Sequence, residues 1–492
     1  MKRKTFLPYF LGLILFSVSF SFSVEKLDRD LERALSSIQP LDAYTITKIL
    51  SSAKFAGRLT GDEGYAAAAK WAAGKFKEWG LKPYSREQGY LQAYPSPYVI
   101  VEKAEMTLFL EEKTETSPEP TVKAIKLQPE KDFLPLFFSA SGDHTGEAVF
   151  GGWGISAPDL GYDDYAGLDV KGKFVFCFRG TPDPDDKRYE PYDQHRFRMK
   201  TAKDKGALGI IYIYDEIASN PNGDWIEDFT PAEINTKIAD LILKDRNMTA
   251  AVLRKDLTTY KKPLTFPLRA KVRLKVEAKN FPDGKGYNIV GYVEGSDPKL
   301  KKECLVVGGH FDHNGFQMGL FFPGADDNAS GSAAVMEIAQ AFSKLGKKPK
   351  RSVIFALFGG EEKGLQGSGY FAEHIPAAFE KVDAMFNFDM VGEGDAAGIG
   401  YSADFPELKA IVQEADEHVK TLRGAYPIRG VGVRSSDFAP FHQKGVSCIS
   451  FHSNGPHLFY HQTGDTIYRI NPDVMADVAR LAFLSAWAAA NK

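Results

Sequence analysis

The stretch 304–331 constrains the fold and the chemistry of this chain more than any other. It reads CLVVGGHFDHNGFQMGLFFPGADDNASG. Its first residues form a short apolar run bounded by glycines, which predicts a buried strand. Residues 324–331 then open a helix of small residues that we expect to reach about Leu345. A histidine and an acidic turn thus lie at a strand's carboxyl end and at a helix start, where open α/β sheets bind ligands. Side chains of these types suit a divalent metal such as zinc.

From about residue 266 to the end, apolar runs of strand length alternate with helical patterns. This alternation predicts an α/β fold with a largely parallel sheet that helices cover on both faces. We expect strands at 270–277, 287–293, 304–308, 352–358, 382–389 and 446–451. We expect helices at 328–345, 366–376, 405–421 and 472–489.

The middle of the chain has a different amino-acid composition. Residues 135–265 are rich in glycine, aromatic residues and short apolar runs such as KGKFVFCFRG and GALGIIYIY. Several short strands with turn signals between them predict a separate β-rich unit. We therefore expect this unit to be inserted between an N-terminal part at 24–134 and a catalytic part at 266–492. It contains no catalytic constellation of its own.

Composition narrows the class of protein. The chain has 492 residues, of which 43% are hydrophobic, enough for a large core and more than one domain. A net charge of −3 argues against a nucleic-acid-binding surface as the main function. With only Cys177, Cys304 and Cys448, the chain is not a disulfide scaffold. The sequence alone does not decide whether Cys304 and Cys448 form a disulfide.

The N-terminus has the features of an export signal. Residues 1–4 are MKRK, an apolar run rich in Phe and Leu follows, and small residues stand at 21 and 23. This pattern predicts a cleaved signal peptide at 1–23. An uncleaved anchor helix is the alternative, because the apolar run approaches the length that spans a bilayer. We expect an exported protein, periplasmic or secreted, with no membrane attachment after cleavage.

Metal-compatible side chains recur at the ends of the predicted strands and at the helix starts beside them. Several carboxylates and histidines at one edge of one sheet need a positive charge between them, because unpaired buried charge is costly. Few Lys or Arg residues stand beside these motifs, so two divalent cations are the simplest answer. The positions are His310, Asp312 and His313, then Asp326 and Asp327, then Glu361 and Glu362, then Asp389, and finally Tyr460 and His461.

Five of these motifs together resemble a known family. GGHFDH, GADDNASG, FGGEEKGLQGS, NFDMVG and YHQTGDT occur across 304–466 in the order found in the co-catalytic dizinc exopeptidases. That family includes secreted bacterial leucyl-type aminopeptidases, aminopeptidase Y and glutamate carboxypeptidase II. The segment GRLTG at 57–61 resembles its N-terminal region, and the β-rich insert resembles a protease-associated (PA) domain. The resemblance implies the three-layer zinc-exopeptidase (phosphorylase/hydrolase-like) fold.

The resemblance also implies a metal centre with two Zn²⁺ ions per chain, although carboxylate-rich sites accept other divalent metals. His310 and Asp389 would bind one ion, and Glu362 and His461 would bind the other. Asp327 would bridge both.

Further roles follow from the same resemblance. Glu361 would be the general base that takes a proton from the metal-bridging water. Asp312 would hold His310 through its second ring nitrogen. Tyr460 would polarise the substrate carbonyl or stabilise the oxyanion. Arg434 is a candidate substrate contact, with an ion pair to its near neighbour Asp437 as the structural alternative.

His313 and Asp326 are expected to contribute to local structure rather than to bind metal. The resemblance further implies a cis peptide at Asp327–Asn328.

The predicted function is an exported zinc-dependent aminopeptidase that removes N-terminal residues from peptides through a dizinc-bridged hydroxide. We expect peptide substrates, no nucleic acid and a monomer. One alternative is a carboxypeptidase on the same scaffold, which needs a cationic pocket that Arg429 and Arg434 could supply. A glutaminyl-cyclase-like acyltransferase with one zinc and a non-catalytic peptide-binding protein are the others.

Overall fold

The computed structural model describes residues 26–112, 121–428 and 436–492. The predicted signal peptide, Arg429 and Arg434 lie outside these ranges. One large sheet carries the motifs. In spatial order its strands are Lys82–Pro83, Lys285–Val293, Ser352–Phe358, Glu303–His310, Lys381–Phe388, Ser447–Ser453, Ala397–Ser402 and Leu422–Ile428, with Leu91–Pro95 also paired to Lys285–Val293.

The centre of this sheet is parallel and its flanks are mixed. Ser352–Phe358, Glu303–His310, Lys381–Phe388 and Ser447–Ser453 form three consecutive parallel pairs. The neighbours on both sides are antiparallel, so the sheet is mixed rather than largely parallel as predicted. Within the parallel centre, His310 stands beside Phe358, and the strands end at a common edge.

Helices cover both faces of the sheet. Residues of Glu303–His310 alternate between two buried clusters, with Leu305 and Val307 on one face and Cys304 and Val306 on the other. This gives the predicted three layers of helix, sheet and helix. The α-helices of the described residues are Arg29–Leu35, Pro40–Leu50, Glu63–Glu78, His195–Asp204, Thr236–Leu243, Ala250–Tyr260, Gly331–Ser343, Gln366–Glu373, Glu407–Val419, Ala439–Gln443 and Pro472–Asn491.

Within the described ranges, no helix has both the length and the apolar character needed to cross a membrane. The three cysteines are free and buried, so the Cys304–Cys448 bridge that the sequence left open is not formed.

A second large sheet makes up most of the region between residues 98 and 281, which we call the β-rich unit. The predicted boundaries at 135 and 265 stay predictions; the sheet itself reaches beyond both, because two long strands flank it. In spatial order its strands are Thr121–Lys126, Tyr98–Glu112, Thr265–Phe281, Gly142–Gly151, Phe174–Cys177, Gly209–Tyr214, Ala232–Asn235 and Phe133–Pro135. Two short hairpins complete the strands, Ser156–Ala157 with Tyr162–Asp163 and Phe316–Gln317 with Leu320–Phe321.

The β-rich unit leaves and re-enters the first sheet at neighbouring strands. Leu91–Pro95 runs antiparallel to Lys285–Val293. Between them, the Ser96 N–H donates to the Gly284 carbonyl at 2.8 Å. The rings of Tyr98 and Phe281 stack with their centroids 4.5 Å apart. These contacts close the neck through which the chain enters and leaves the unit.

The helix expected at 328–345 begins later than predicted. It spans Gly331–Ser343 and follows a separate helical turn at Ala325–Ser330. Asp327 and Asn328 have non-helical φ and ψ angles inside that turn. The peptide between them is cis, as the resemblance implied.

Candidate metal centre

The first group of metal-compatible atoms forms around His310, the last residue of its strand. Its Nε2 atom lies 3.2 Å from Asp327 Oδ1 and 3.3 Å from Asp389 Oδ1. The second ring nitrogen, Nδ1, lies 3.3 Å from the backbone carbonyl oxygen of Asp312. His310, Asp327 and Asp389 can each offer one ligand atom to a common point.

The second group forms around Glu362. His461 Nε2 lies 2.8 Å from Glu362 Oε2 and 3.2 Å from Asp327 Oδ2. His313 Nδ1 lies 2.7 Å from Glu362 Oε1 and 4.0 Å from Asp327 Oδ2. The two oxygens of Asp327 therefore face different groups, with Oδ1 toward His310 and Oδ2 toward His461.

Local backbone contacts fix Asp327 in this central position. Asp465 accepts the N–H groups of Asp326 at 2.8 Å and Asp327 at 3.0 Å. The Asn328 amide donates to the Phe388 carbonyl at 2.8 Å, which ties the turn to the end of the neighbouring strand. The turn that carries Asp327 is thus held from both sides.

Glu361 lies in the turn that follows Ser352–Phe358 and is partly buried. Its N–H donates to Asp312 Oδ1 at 3.2 Å. Burial raises the pKa of Glu361 well above its ordinary value; the charge on His310 opposes this shift and that on Glu362 adds to it. A carboxyl group with a raised pKa beside a ligand-rich turn is suited to proton transfer.

Asp312 and Tyr460 are the other two residues with predicted catalytic roles. The Asp312 carboxylate is 3.9 Å from His310 Nδ1, beyond hydrogen-bond length, so the backbone carbonyl of Asp312 is the closer partner. Tyr460 is 49% exposed. Its ring stacks on that of His461 with centroids 3.8 Å apart.

His313 and Asp326 have different environments. Asp326 forms an ion pair with His457 at 2.5 Å and accepts the Gly392 N–H at 2.8 Å, which are structural contacts. His313 is fully buried against Glu362, close enough to orient that carboxylate or to share its ligand.

Hydrogen bonding at the two central histidines fits a bound cation. A carbonyl oxygen only accepts, so a histidine Nδ1 atom that contacts one must carry the proton. His310 Nδ1 faces the Asp312 carbonyl and His461 Nδ1 faces the Ser219 carbonyl, at 3.3 and 2.7 Å. Each neutral imidazole then points its Nε2 lone pair at a carboxylate. Lone pairs facing lone pairs repel, and a divalent cation between them removes the repulsion.

The carboxylates themselves carry strongly shifted pKa values. Burial alone would lower the pKa of His310 and His461, but the surrounding carboxylates raise it well above its ordinary value, so without a cation both rings also carry a proton on Nε2. Burial raises the pKa of Asp327, but hydrogen bonds from these protonated rings outweigh burial and lower it well below its ordinary value. Burial also raises the pKa of Glu362, but the charge on protonated His461 outweighs it and lowers the pKa to about 2. Both groups are therefore ionised at neutral pH and available as ligands.

Sequence analysis missed Arg58 as part of this centre. Its side chain is fully buried. The guanidinium donates to the backbone carbonyls of Leu50 at 2.7 Å and Phe311 at 2.9 Å. It also donates to Pro323 at 2.9 Å and Gly324 at 2.8 Å. Arg58 thus joins the segment after His310 to the segment before the acidic turn. Only the GRLTG motif hinted at it.

Beside Asp389 a cavity of about 670 Å³ opens along the sheet edge. It is large enough for an amino-acid side chain and its backbone. Its wall combines aromatic, polar and apolar side chains, among them Asp389, Met390, Tyr426, Phe438, His452 and His457.

Comparison with known proteins places this geometry in context. Residues 288–486 match Peptidase family M28. Aminopeptidase YwaD of Bacillus subtilis (strain 168) is 25% identical over 350 residues, 69% of this chain and 68% of that one. Leupeptin-inactivating enzyme 1 of Streptomyces exfoliatus is 35% identical over 162 residues, 33% of this chain, and the alignment spans only 34% of that enzyme.

Among solved structures, the aminopeptidase from Aneurinibacillus sp. strain AM-1 superposes with a TM-score of 0.64 at 22% identity. The superposition covers 92% of this chain and 95% of that one, so the fold is shared across nearly the whole length.

Proposed function

We propose that the chain is a member of peptidase family M28, whose model matches residues 288–486, and that it is an exported dizinc aminopeptidase. One observation carries the proposal. The two oxygens of Asp327 face two separate histidine–carboxylate groups, His310 with Asp389 and His461 with Glu362. A carboxylate shared in this way suits two cations a few ångströms apart, and zinc favours such nitrogen and oxygen ligands.

Each protein group has a definite task in this proposal. When bound, two zinc ions would lower the pKa of water from about 15.7 to about 7 and polarise a carbonyl oxygen. Glu361 accepts a proton from the attacking water and then gives it to the leaving amine. The Tyr460 hydroxyl donates a hydrogen bond to the carbonyl oxygen as negative charge develops there.

The surroundings of the centre favour a free α-amine at the substrate end. A peptide N-terminus is cationic, the Asp389 carboxylate lines the cavity, and Glu361 lies close enough to interact electrostatically with Asp389. The terminal side chain would occupy the 670 Å³ cavity. The aminopeptidase relatives support the same preference. We propose that residues 135–265 of the β-rich unit are an inserted PA domain and that the unit would form a wall of the cleft.

A Glu361→Gln variant tests the proposed base. Loss of a general base lowers kcat by about 10²–10⁴-fold. Metal content, measured by inductively coupled plasma mass spectrometry, should stay at two ions per chain. Glu380→Gln is the matched control, because Glu380 is an exposed glutamate whose Oε1 pairs with Lys302 Nζ at 2.6 Å. Full activity in Glu361→Gln with both metals bound would refute the assignment and favour a binding protein.

Paired substrates test the choice of peptide end. We expect chelator-sensitive hydrolysis of leucine para-nitroanilide and none of an N-acetylated dipeptide with a free carboxyl end. The opposite pattern would establish a carboxypeptidase, a possibility kept open by Carboxypeptidase Q of Xenopus laevis, 26% identical over 223 residues. A wild-type chain that binds no zinc would overturn the site itself.

Export is tested separately. We expect the mature protein, recovered from periplasm or medium, to begin at Val24. A recovered chain that still begins at Met1 and sediments with membranes would instead support the anchor helix.

A further inference from the structure

We infer that the β-rich unit positions a metal ligand: its Ser219 holds the His461 ring so that one of the two metal positions depends on the inserted unit. The inference rests on the proposed function in one respect, because it takes His461 as a ligand. It goes beyond it by making the insert part of the metal centre as well as a wall of the cleft.

Ser219 and His461 make three hydrogen bonds. The His461 Nδ1–H donates to the Ser219 carbonyl at 2.7 Å. In return, the Ser219 N–H and hydroxyl both donate to the His461 carbonyl at 2.9 Å. The ring and the backbone of His461 are therefore fixed by one residue that is 242 positions away in the sequence.

This pairing selects the form of the ring that binds metal. With the proton on Nδ1, Nε2 carries the lone pair and points at Glu362 and Asp327, 2.8 and 3.2 Å away. Removing the outer hydrogen-bond partner of a ligating histidine commonly weakens metal binding by about 10–100-fold. Because two of the three bonds use the Ser219 backbone, they survive changes to its side chain.

The backbone of His461 needs such a restraint. It has φ = 56°, a left-handed conformation that a non-glycine residue keeps only when its surroundings hold it. Two more bonds from the β-rich unit act on the same segment. Gln462 Nε2 donates to the Ile217 carbonyl at 3.1 Å, and the Thr463 N–H donates to Glu130 Oε1 at 2.9 Å.

The interior of the β-rich unit in turn fixes the Ser219 segment. Buried Glu233 accepts the Ala218 N–H at 2.8 Å. The Asn220 carbonyl accepts the Phe137 N–H at 2.9 Å. The geometry at His461 is thus inherited from the packing of the inserted unit.

The test measures the two zinc affinities separately, by stepwise competition with a chromophoric chelator. In Ser219→Pro, which removes the N–H and the hydroxyl that hold the His461 backbone and keeps the carbonyl that accepts from the ring, we expect one ion to bind up to about 10-fold more weakly and the other to be unchanged. A Ser219→Ala/Gln462→Met double variant, which removes two side-chain contacts but keeps the backbone pairing, should show a smaller split of the same kind. It also serves if the proline variant does not fold.

Ser139→Ala is the matched control. Ser139 is a buried serine of the same unit whose hydroxyl donates to a carbonyl, that of Ala140, at 3.1 Å. It should leave both affinities unchanged. Folded variants that keep both wild-type affinities, or that weaken both ions equally, would overturn the inference. A wild-type chain without two tight ions would instead refute the proposed function, so the two failures are distinguishable.

Discussion

Replacing Arg58 with methionine should destabilise the protein more than almost any other single change. Methionine keeps most of the volume of the side chain but none of its donors. Four backbone carbonyls, at Leu50, Phe311, Pro323 and Gly324, would lose a charged partner in a dry environment. Burial lowers the pKa of Arg58 to about 10, so the guanidinium is charged throughout the physiological range.

The expected loss can be built from these contacts. Hydrogen bonds to a charged group contribute about 1.5–3 kcal/mol each, so four at the low end give about 6 kcal/mol. Removing the buried charge also relieves a desolvation penalty, which we set at about 2 kcal/mol as a small part of the several known for a buried ion. The free energy of unfolding should therefore fall by about 4 kcal/mol, a loss typical of a disrupted buried hydrogen-bond network.

Equilibrium urea unfolding, followed by circular dichroism and tryptophan fluorescence, measures this loss. Arg273→Met is the control, because Arg273 is exposed and pairs with Asp143 at 2.7 Å. The loss should be larger in chelator than in zinc, because the Arg58 charge interacts favourably with the carboxylates of Asp312, Asp327 and Glu362, and no metal offsets those charges in chelator. A loss below about 1 kcal/mol would refute this reading of the network.

Three further results are expected. Burial raises the pKa of Glu233 to about 8, so its contribution to stability is full below about pH 4.3 and is lost as pH rises through 8. The free energy of unfolding of Glu233→Gln, measured in urea relative to wild type, should therefore rise by up to about 4 kcal/mol between pH 5 and 8. Parallel pH profiles of variant and wild type would contradict this. Gly309→Ala should cost about 3 kcal/mol or more, since a Cβ would collide with the Phe388 carbonyl. Gly74→Ala should gain about 0.5–1 kcal/mol, since apart from its chain neighbours and its own helix backbone no described atom lies within 4 Å of the added Cβ. Equal effects in thermal unfolding would refute the contrast. Burial raises the pKa of Cys177 and Cys448 to about 12 and that of Cys304 further, so Ellman's reagent should label no thiol in the native protein and three after unfolding, and rapid native labelling would contradict the burial.

The central strands and the residues at their ends could be predicted because each depends on local pattern. The apolar run at 352–358 is strand Ser352–Phe358, with both bounds as expected. Parallel strands end at one edge, so the residues that follow them, such as His310 and Asp389, had to meet. That argument needs only strand order and not the path of any loop.

Other features depend on contacts that leave no local pattern. The strand Ala397–Ser402 reads AGIGYS, in which glycines hide the β signal. Each of the three bonds between Ser219 and His461 involves a main-chain atom, and main-chain atoms are the same in every sequence. The carboxylate of Asp312 was expected beside His310 Nδ1, but it accepts the Glu361 N–H instead, an outcome of loop geometry.

The neck of the β-rich unit bears on how the chain folds as it is synthesised. Leu91–Pro95 leaves the ribosome early, but its partner Lys285–Val293 emerges only after the whole β-rich unit has followed. Until then one edge of an early strand stays unpaired, a condition that favours aggregation. Domains generally fold as units during synthesis. If the β-rich unit folds first, it brings Tyr98 and Phe281 together and delivers the late strand beside the early one. The folded insert would then hold the two strands close together, which lowers the loop-closure entropy cost of pairing them and speeds formation of the central sheet.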